Sequence, residues 1–103
     1  MAQFHIYLNP GTKKVEIPYL VAVQNDHITI RTGATAVIPL RADAHPVEIM
    51  APLVEVPGQG MFVLSTDEIF AIDAARLRQA VGILSAADRM KIKPALDKVI
   101  GDY

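Results

Sequence analysis

Short apolar runs bounded by turn-forming residues are the feature that most constrains how this chain can fold. In residues 3–8 polar and apolar side chains alternate, which is the period of a strand with one face buried. Asn9-Pro10-Gly11 then ends the run as a turn, because proline fixes φ and glycine permits positive φ. The alternation predicts two opposite faces, with Phe4, Ile6 and Leu8 on the apolar one and Gln3, His5 and Tyr7 on the polar one.

Later segments repeat this strand-like composition. Residues 36–40 are apolar and β-branched, but Pro39 has no N–H for a strand ladder. We therefore expect this segment at a sheet edge, at a bulge or at the end of a strand. Residues 53–56 and 61–64 flank the turn Pro57-Gly58-Gln59-Gly60 and are predicted to form a β-hairpin. The remaining strand predictions are residues 19–24, residues 27–30 after the turn Asn25-Asp26, and residues 69–72.

The last third of the chain has helical features instead. Ser85, with Asp88 three positions later, resembles a helix N-cap. Pro94 interrupts the helical pattern, so we expect a kink or a break there, with a fresh helix that ends at Gly101. The apolar residues of this segment follow helical spacing at Ile92, Leu96, Val99 and Ile100.

These elements predict a mainly β fold with a C-terminal α-helix, in which short antiparallel strands close a small barrel or sheet. The length of 103 residues fits a single domain spanning residues 1–103. The N-terminal sequence lacks the pattern of a signal peptide, and no apolar run approaches the length of a membrane span. We therefore expect a cytoplasmic protein that does not enter the membrane.

The charge of the chain argues against a general polyanion binder. Ten Lys and Arg face eleven Asp and Glu, for a net charge of −1. Residues 1–75 contain four basic and eight acidic side chains, whereas residues 76–103 contain six basic and three acidic ones. We interpret this excess of cations as the solvated face of the terminal helix, with cations near its C-terminus.

No conventional reactive site is visible in the sequence. The chain has no cysteine, and its histidines are too scattered to predict a metal site. Ser65-Thr66-Asp67-Glu68 is more typical of a turn than of a nucleophile beside carboxylates. Gly58-Gln59-Gly60 lacks the lysine and the following helix of a phosphate loop. We expect no catalytic residue, no metal and no cofactor, and a homodimer that acts by binding another macromolecule.

The order and spacing of several short motifs resemble the CcdB-type toxins of bacterial toxin–antitoxin modules. The resemblance runs from Gln3 to about Ile100, nearly the whole chain. The motifs are Gln3-Phe4-x-x-Tyr7, the run Pro18-Tyr19-Leu20-Val21-Ala22-Val23-Gln24-Asn25-Asp26, Val37-Ile38-Pro39-Leu40, Pro52-Leu53, Thr66-Asp67 and Ala95-Leu96-Asp97.

The resemblance implies a small SH3-like antiparallel β-barrel with a C-terminal helix, and a homodimer. It implies that the dimer binds the DNA gyrase A subunit, traps the gyrase–DNA cleavage complex and catalyses nothing itself. It also implies a CcdA-type antitoxin that neutralises the toxin. The two proteins together would repress their own operon, with DNA bound only through the antitoxin.

The resemblance also assigns the gyrase contact to individual positions. The family offers two aliphatic contacts where this chain has His27 and Ile28, and it ends in an aromatic residue, a glycine and an aliphatic residue. The tail of this chain departs from that pattern, because Gly101-Asp102-Tyr103 stands at its end. The predicted gyrase-binding residues are Ile28, Asp97, Ile100, Gly101, Asp102 and Tyr103.

Two alternatives follow from the same barrel. One is a MazF-like endoribonuclease toxin, in which Arg31 would act with Thr32 or Thr35, although the near-neutral charge argues against an RNA groove. The other is a non-toxic relative that retains antitoxin binding, which the altered tail would fit.

Overall fold

The structure is a computed structural model that describes residues 2–101. Within this range α1 spans Asp26–Thr32, α2 spans Ala86–Arg89 and α3 spans Ile92–Ile100. Single 3₁₀ turns occupy Thr66–Glu68 and Ala74–Arg76. The strands are β1 (His5–Leu8), β2 (Tyr19–Ala22), β3 (Ala34–Arg41), β4 (Leu53–Val56), β5 (Gly60–Leu64), β6 (Phe70–Asp73) and β7 (Ala80–Ile83).

The strands form one antiparallel sheet in the order β4-β5-β3-β2-β1-β7, and β6 pairs with β3 beside this path. The sheet curls so far that its two ends, β4 and β7, come into contact. At this closure Pro57 lies against Gly82, where a Cβ atom would sit 3.2 Å from the proline Cδ. The predicted fold class is confirmed: a mainly β chain with a C-terminal helix, whose curled sheet forms a half-barrel consistent with a small barrel.

Both faces of the central strands are buried. The larger cluster contains Ile6, Val21 and Ile38, and the α3 residue Ile92 packs into it. A second cluster lies on the opposite face, because successive strand residues point to opposite sides of a sheet. Its buried members are Tyr7, Leu20, Ala22, Val37, Ile72 and Leu77.

The alternation placed Tyr7 on the polar face of its strand, and this predicts an exposed side chain. That prediction is wrong. Tyr7 is 5% exposed and belongs to the second cluster, whereas Leu8 on the apolar face is 41% exposed. Leu77, far along the chain, covers the face that the alternation assigned to polar residues. A period of two shows that the faces differ, but it does not show which distant segment covers each one.

Pro39 lies inside the central strand rather than at an edge, a bulge or a strand end. On one side of β3 it pairs with Leu20 of β2. On the other side β3 changes partners, since β6 pairs only as far as Val37 and β5 begins at Leu40. The Pro39 carbonyl accepts from the Ser65 N–H (2.9 Å) across this junction. The missing N–H therefore faces a gap between strands, where the ladder requires no donor.

The strand predicted at residues 27–30 is wrong, because this segment forms α1. The Asn25 side chain accepts from the His27 N–H (2.8 Å) and caps the start of the helix. Gly33 ends the helix in the left-handed region at φ 75°, where its N–H donates to the Thr29 carbonyl (2.8 Å). These two caps outweigh the strand preference of the β-branched Ile28 and Ile30.

The C-terminal helix is broken, as Pro94 predicted. Ser85 caps α2 by accepting from the Asp88 N–H (3.1 Å). The chain then restarts as α3, and Pro94 occupies its first turn, where the proline lacks an N–H that would have no partner inside the helix. The restart lies two residues before Pro94, and Gly101 ends the helix as expected. None of the helices in residues 2–101 is long and apolar enough to cross a membrane.

Candidate functional site

The end of α3 carries three of the six predicted contact residues, Asp97, Ile100 and Gly101, on the protein surface. Ile100 is 74% exposed and Asp97 is exposed, so neither side chain belongs to the core. Gly101 caps the helix through its N–H, which donates to the Asp97 carbonyl (2.7 Å). Asp102 and Tyr103 lie outside the described residues. The exposure of Ile100 makes its side chain accessible to another molecule.

The opposite face of α3 fixes this helix on the barrel. Ile92 and Ala95 are buried, and Leu96 packs against the larger cluster. The helix lies on the 3₁₀ turn Thr66–Glu68. The helical spacing of the sequence therefore predicted the core-facing side of α3 correctly at Ile92 and Leu96.

Ile28 forms a second exposed aliphatic position, on α1. It is 51% exposed, and Ile30 on the same helix is 80% exposed. Thr29 is the buried residue of α1 and accepts from Gln24 Nε2 (3.1 Å). The strand prediction missed Ile30 as a surface residue, and the Asn25 and Gly33 caps are the sequence signals that could have revealed it. The structure groups Asp97, Ile100 and Gly101 in one helical turn, whereas Ile28 lies on a separate helix packed on β3.

A buried carboxylate ties the start of α3 to the barrel. Asp88 is 7% exposed, and its oxygens accept from the Glu55 N–H (2.9 Å) and bind the Lys91 ammonium (2.8 Å). Lys91 also donates to the Leu53 carbonyl (2.9 Å). Burial raises the pKa of Asp88, but the Glu55 amide and the Lys91 ammonium outweigh it, so the pKa lies below its ordinary value.

An ion pair fixes the turn on which α3 lies. Arg41 Nη2 donates to Glu68 Oε2 (2.9 Å), and its Nε donates to the other carboxylate oxygen. Ser65 Oγ donates to Glu68 Oε1 (2.6 Å). The Arg41 guanidinium and then the Ser65 hydroxyl lower the pKa of Glu68 to about 2, and the same pair raises the pKa of Arg41. The turn interpretation of Ser65–Glu68 is confirmed, and Ser65 serves it as a hydrogen-bond donor.

The residues of the endoribonuclease alternative do not form a reactive cluster in the structure. Arg31 is exposed on α1, but Thr35 is 1% exposed within β3. The Thr32 hydroxyl donates to the Ile28 carbonyl (2.9 Å), which occupies it at the end of α1. Nowhere in residues 2–101 do three or more His, Cys, Asp or Glu side chains gather where they could hold a metal ion.

Comparison with known proteins gives a family and a fold. The family model described as CcdB protein matches residues 3–101. No curated protein sequence matches the chain.

Among solved structures, a MazE–MazF complex from Deinococcus radiodurans is similar with a TM-score of 0.76 at 14% identity, covering 98% of this chain and 96% of that one. An endoribonuclease bound to its cognate antitoxin, from a mycobacterial species, gives 0.78 at 19% identity, covering 98% and 95%. The Mycobacterium tuberculosis toxin MazF-mt6 gives 0.75 at 16% identity, covering 99% and 100%. At such low identity these likenesses show the fold alone.

Proposed function

Because this chain belongs to the CcdB family of toxins from toxin–antitoxin modules, we propose that it binds the DNA gyrase A subunit and traps the gyrase–DNA cleavage complex. The match of the family model over residues 3–101 is the observation that carries this proposal. The toxin acts by binding and performs no chemistry of its own. We propose that it works in the cytoplasm, where gyrase acts.

The exposed aliphatic positions support a binding mode. The side chains of Ile100 and Ile28 are exposed on two capped helices. Contact with a partner would release water from these side chains, and this release favours association. We propose that both contact gyrase, together with Asp97, Gly101, Asp102 and Tyr103. The contacts of Asp88 fix the start of α3, and the Arg41–Glu68 ion pair fixes the turn on which α3 lies. This rigidity favours binding, because a rigid contact element loses less entropy when it binds.

The remaining partners follow the family. We propose a homodimer as the active form, and a CcdA-type antitoxin that neutralises it. Contact with operator DNA is made through the antitoxin, which agrees with the net charge of −1 on the toxin. The dimer is checked by the mass of the purified protein in solution.

The decisive experiment incubates purified gyrase from the source organism with plasmid DNA and this protein. We expect linear, enzyme-linked DNA to accumulate. Ile100→Asp should reduce trapping by about ten-fold or more at unchanged Tm, since a charge replaces a desolvated aliphatic contact. Val15→Asp is the matched control, because Val15 is 85% exposed outside the predicted contact and its substitution should leave trapping unchanged.

The same preparation distinguishes the two alternatives. Cleavage of RNA without any effect on gyrase would replace this proposal with the endoribonuclease. Absence of both activities, with antitoxin binding retained, would identify a non-toxic relative. Equal trapping by wild type and Ile100→Asp would refute the assignment of the contact to the end of α3.

A further inference from the structure

One end of the sheet is formed by β4, and within residues 2–101 only β5 pairs with it. At the closure of the barrel β7 comes into contact with β4, and Pro57 lies against Gly82, but the two strands share no ladder in this range. The backbone groups of β4 that point away from β5 therefore have no strand as a partner. Such an edge is a template on which a further strand can pair.

Two charged side chains occupy this edge instead. The Glu55 N–H donates to Asp88 Oδ2 (2.9 Å), and the Leu53 carbonyl accepts from Lys91 Nζ (2.9 Å). Residues two apart in an antiparallel strand direct their backbone groups to the same side, so both groups belong to the edge that faces away from β5. Lys91 Nζ and Asp88 Oδ1 lie 2.8 Å apart. One ion pair thus supplies the acceptor and the donor that a neighbouring strand would supply.

The strand beneath this ion pair has the composition of an associating strand. Three of the four residues of β4 are leucine or valine, and Glu55 is its one charged residue. Beside the edge, Leu53 is 39% exposed and Met61 of β5 is 55% exposed. If the ion pair were absent, β4 would combine free backbone groups with exposed apolar side chains, and this combination favours pairing between copies.

The ion pair is held in place before any other strand arrives. Asp88 is 7% exposed, and its N–H donates to the Ser85 hydroxyl (3.1 Å) at the start of α2. Lys91 lies three residues further along the chain, where α3 begins. A strand that arrived at β4 would have to separate both charged groups from their backbone partners, which is costly for a largely buried carboxylate.

We propose that the Asp88–Lys91 pair blocks the β4 edge and so prevents β4 of one chain from pairing with β4 of a second copy. The unblocked edges would pair antiparallel about a two-fold axis at Val54. This arrangement sets Leu53 of one copy opposite Glu55 of the other, so that two glutamates do not face each other. The inference goes beyond the proposed function, because it concerns a contact between copies of this chain that does not involve gyrase.

The first test compares masses in solution by light scattering over a concentration series. The double variant Asp88→Asn, Lys91→Met removes both charges and nearly retains the size of both side chains. It should form species larger than those of wild type, at concentrations lower by about ten-fold or more, because an arriving strand no longer separates an ion pair. Adding Leu53→Lys should restore the wild-type mass, since a charge on an edge strand opposes pairing.

Leu77→Ala is the control for loss of stability alone. Leu77 belongs to the second cluster, which contains no residue of β4, so this variant is destabilised while the β4 edge stays covered. It should keep the wild-type mass at temperatures where it is folded. If the double variant is unfolded by circular dichroism, Lys91→Met alone replaces it, because this substitution uncovers the Leu53 carbonyl and leaves Asp88 on the Glu55 N–H.

A disulfide measurement locates the contact, because the chain has no cysteine of its own. Protein with Leu53→Cys is mixed with protein with Glu55→Cys, both carrying the double substitution. Opposite residues in a hydrogen-bonded antiparallel pair have Cα atoms about 5.5 Å apart, within the range of a disulfide. We expect the mixed disulfide in this background and none in the wild-type background. The exposed Val15→Cys, in place of Leu53→Cys, should give none.

Three results would overturn the proposal. The first is a folded variant without the Asp88–Lys91 pair that keeps the wild-type mass. The second is Leu77→Ala that associates as strongly as the double variant, because association would then follow stability alone. The third is association without the mixed disulfide between positions 53 and 55. None of these results bears on the proposed function, which the gyrase assay tests separately.

Discussion

Asp88→Asn is expected to destabilise the chain by about 2 kcal/mol at pH 7. The carboxylate is 7% exposed and makes two charge-assisted contacts, to the Glu55 N–H at 2.9 Å and to Lys91 Nζ at 2.8 Å. A hydrogen bond to a charged group contributes about 1.5–3 kcal/mol. Asparagine retains one oxygen for Glu55 but loses the ion pair, so the loss falls within the range of a single such contact. For a domain of this size the corresponding fall in Tm is about 10 °C.

The pH dependence of this effect has a defined sign. The pKa of Asp88 in the folded protein lies below its ordinary value of 3.8, so the folded state favours the charged carboxylate. Its contribution to the free energy of unfolding is therefore fully present above the ordinary pKa and is lost as pH falls through the lower folded value. The difference between wild type and Asp88→Asn should be constant from about pH 5 to 7 and should close as pH falls below about 4.

Urea denaturation at several pH values measures both effects. Asp97→Asn is the control on the same C-terminal segment, because Asp97 is exposed and its substitution should change stability by less than about 0.5 kcal/mol. A variant Asp88→Asn within 0.5 kcal/mol of wild type at pH 7, or one whose deficit is the same at pH 3, would refute the stabilising role of the Asp88 carboxylate.

Three further changes test other parts of the fold. Glu68→Gln removes the charge that Arg41 holds, and because the Glu68 side chain is 38% exposed the loss should be below about 1 kcal/mol and smaller still in 1 M salt, as urea titrations would show. Leu77→Ala should cost about 2–4 kcal/mol by opening the second cluster, against less than about 1 kcal/mol for the exposed Leu8→Ala in thermal unfolding. Thr35→Val should raise the free energy of unfolding by up to about 1 kcal/mol, since the buried Thr35 hydroxyl has no hydrogen-bond partner within residues 2–101; lost toxicity in this variant would support the endoribonuclease instead.

The parts of the fold that the sequence predicts are those with local causes. The hairpin of β4 and β5 follows from turn chemistry, and Gly58 and Gly60 adopt the positive φ values of 77° and 104° that this turn requires. The break before α3 follows in the same way from the missing N–H of Pro94.

The predictions that failed depended on contacts between distant segments or on competing local signals. The β-branched Ile28 and Ile30 favour a strand, but the caps at Asn25 and Gly33 stabilise a helix instead. The burial of Tyr7 depends on residues that lie far away in sequence. The concave surface that Ile49 and Pro94 line together was not predicted, because these two residues lie far apart in sequence.

The burial of both faces of the central strands has a consequence for how the chain unfolds. The two clusters are separate in their side chains, yet both are built on the same backbone of β1, β2 and β3. If either cluster melted, one whole face of β1, β2 and β3 would be exposed. The other cluster still requires these same strands to be paired. Neither cluster therefore forms an independent cooperative unit, and the strands that carry them are expected to exchange their amide hydrogens only through global unfolding.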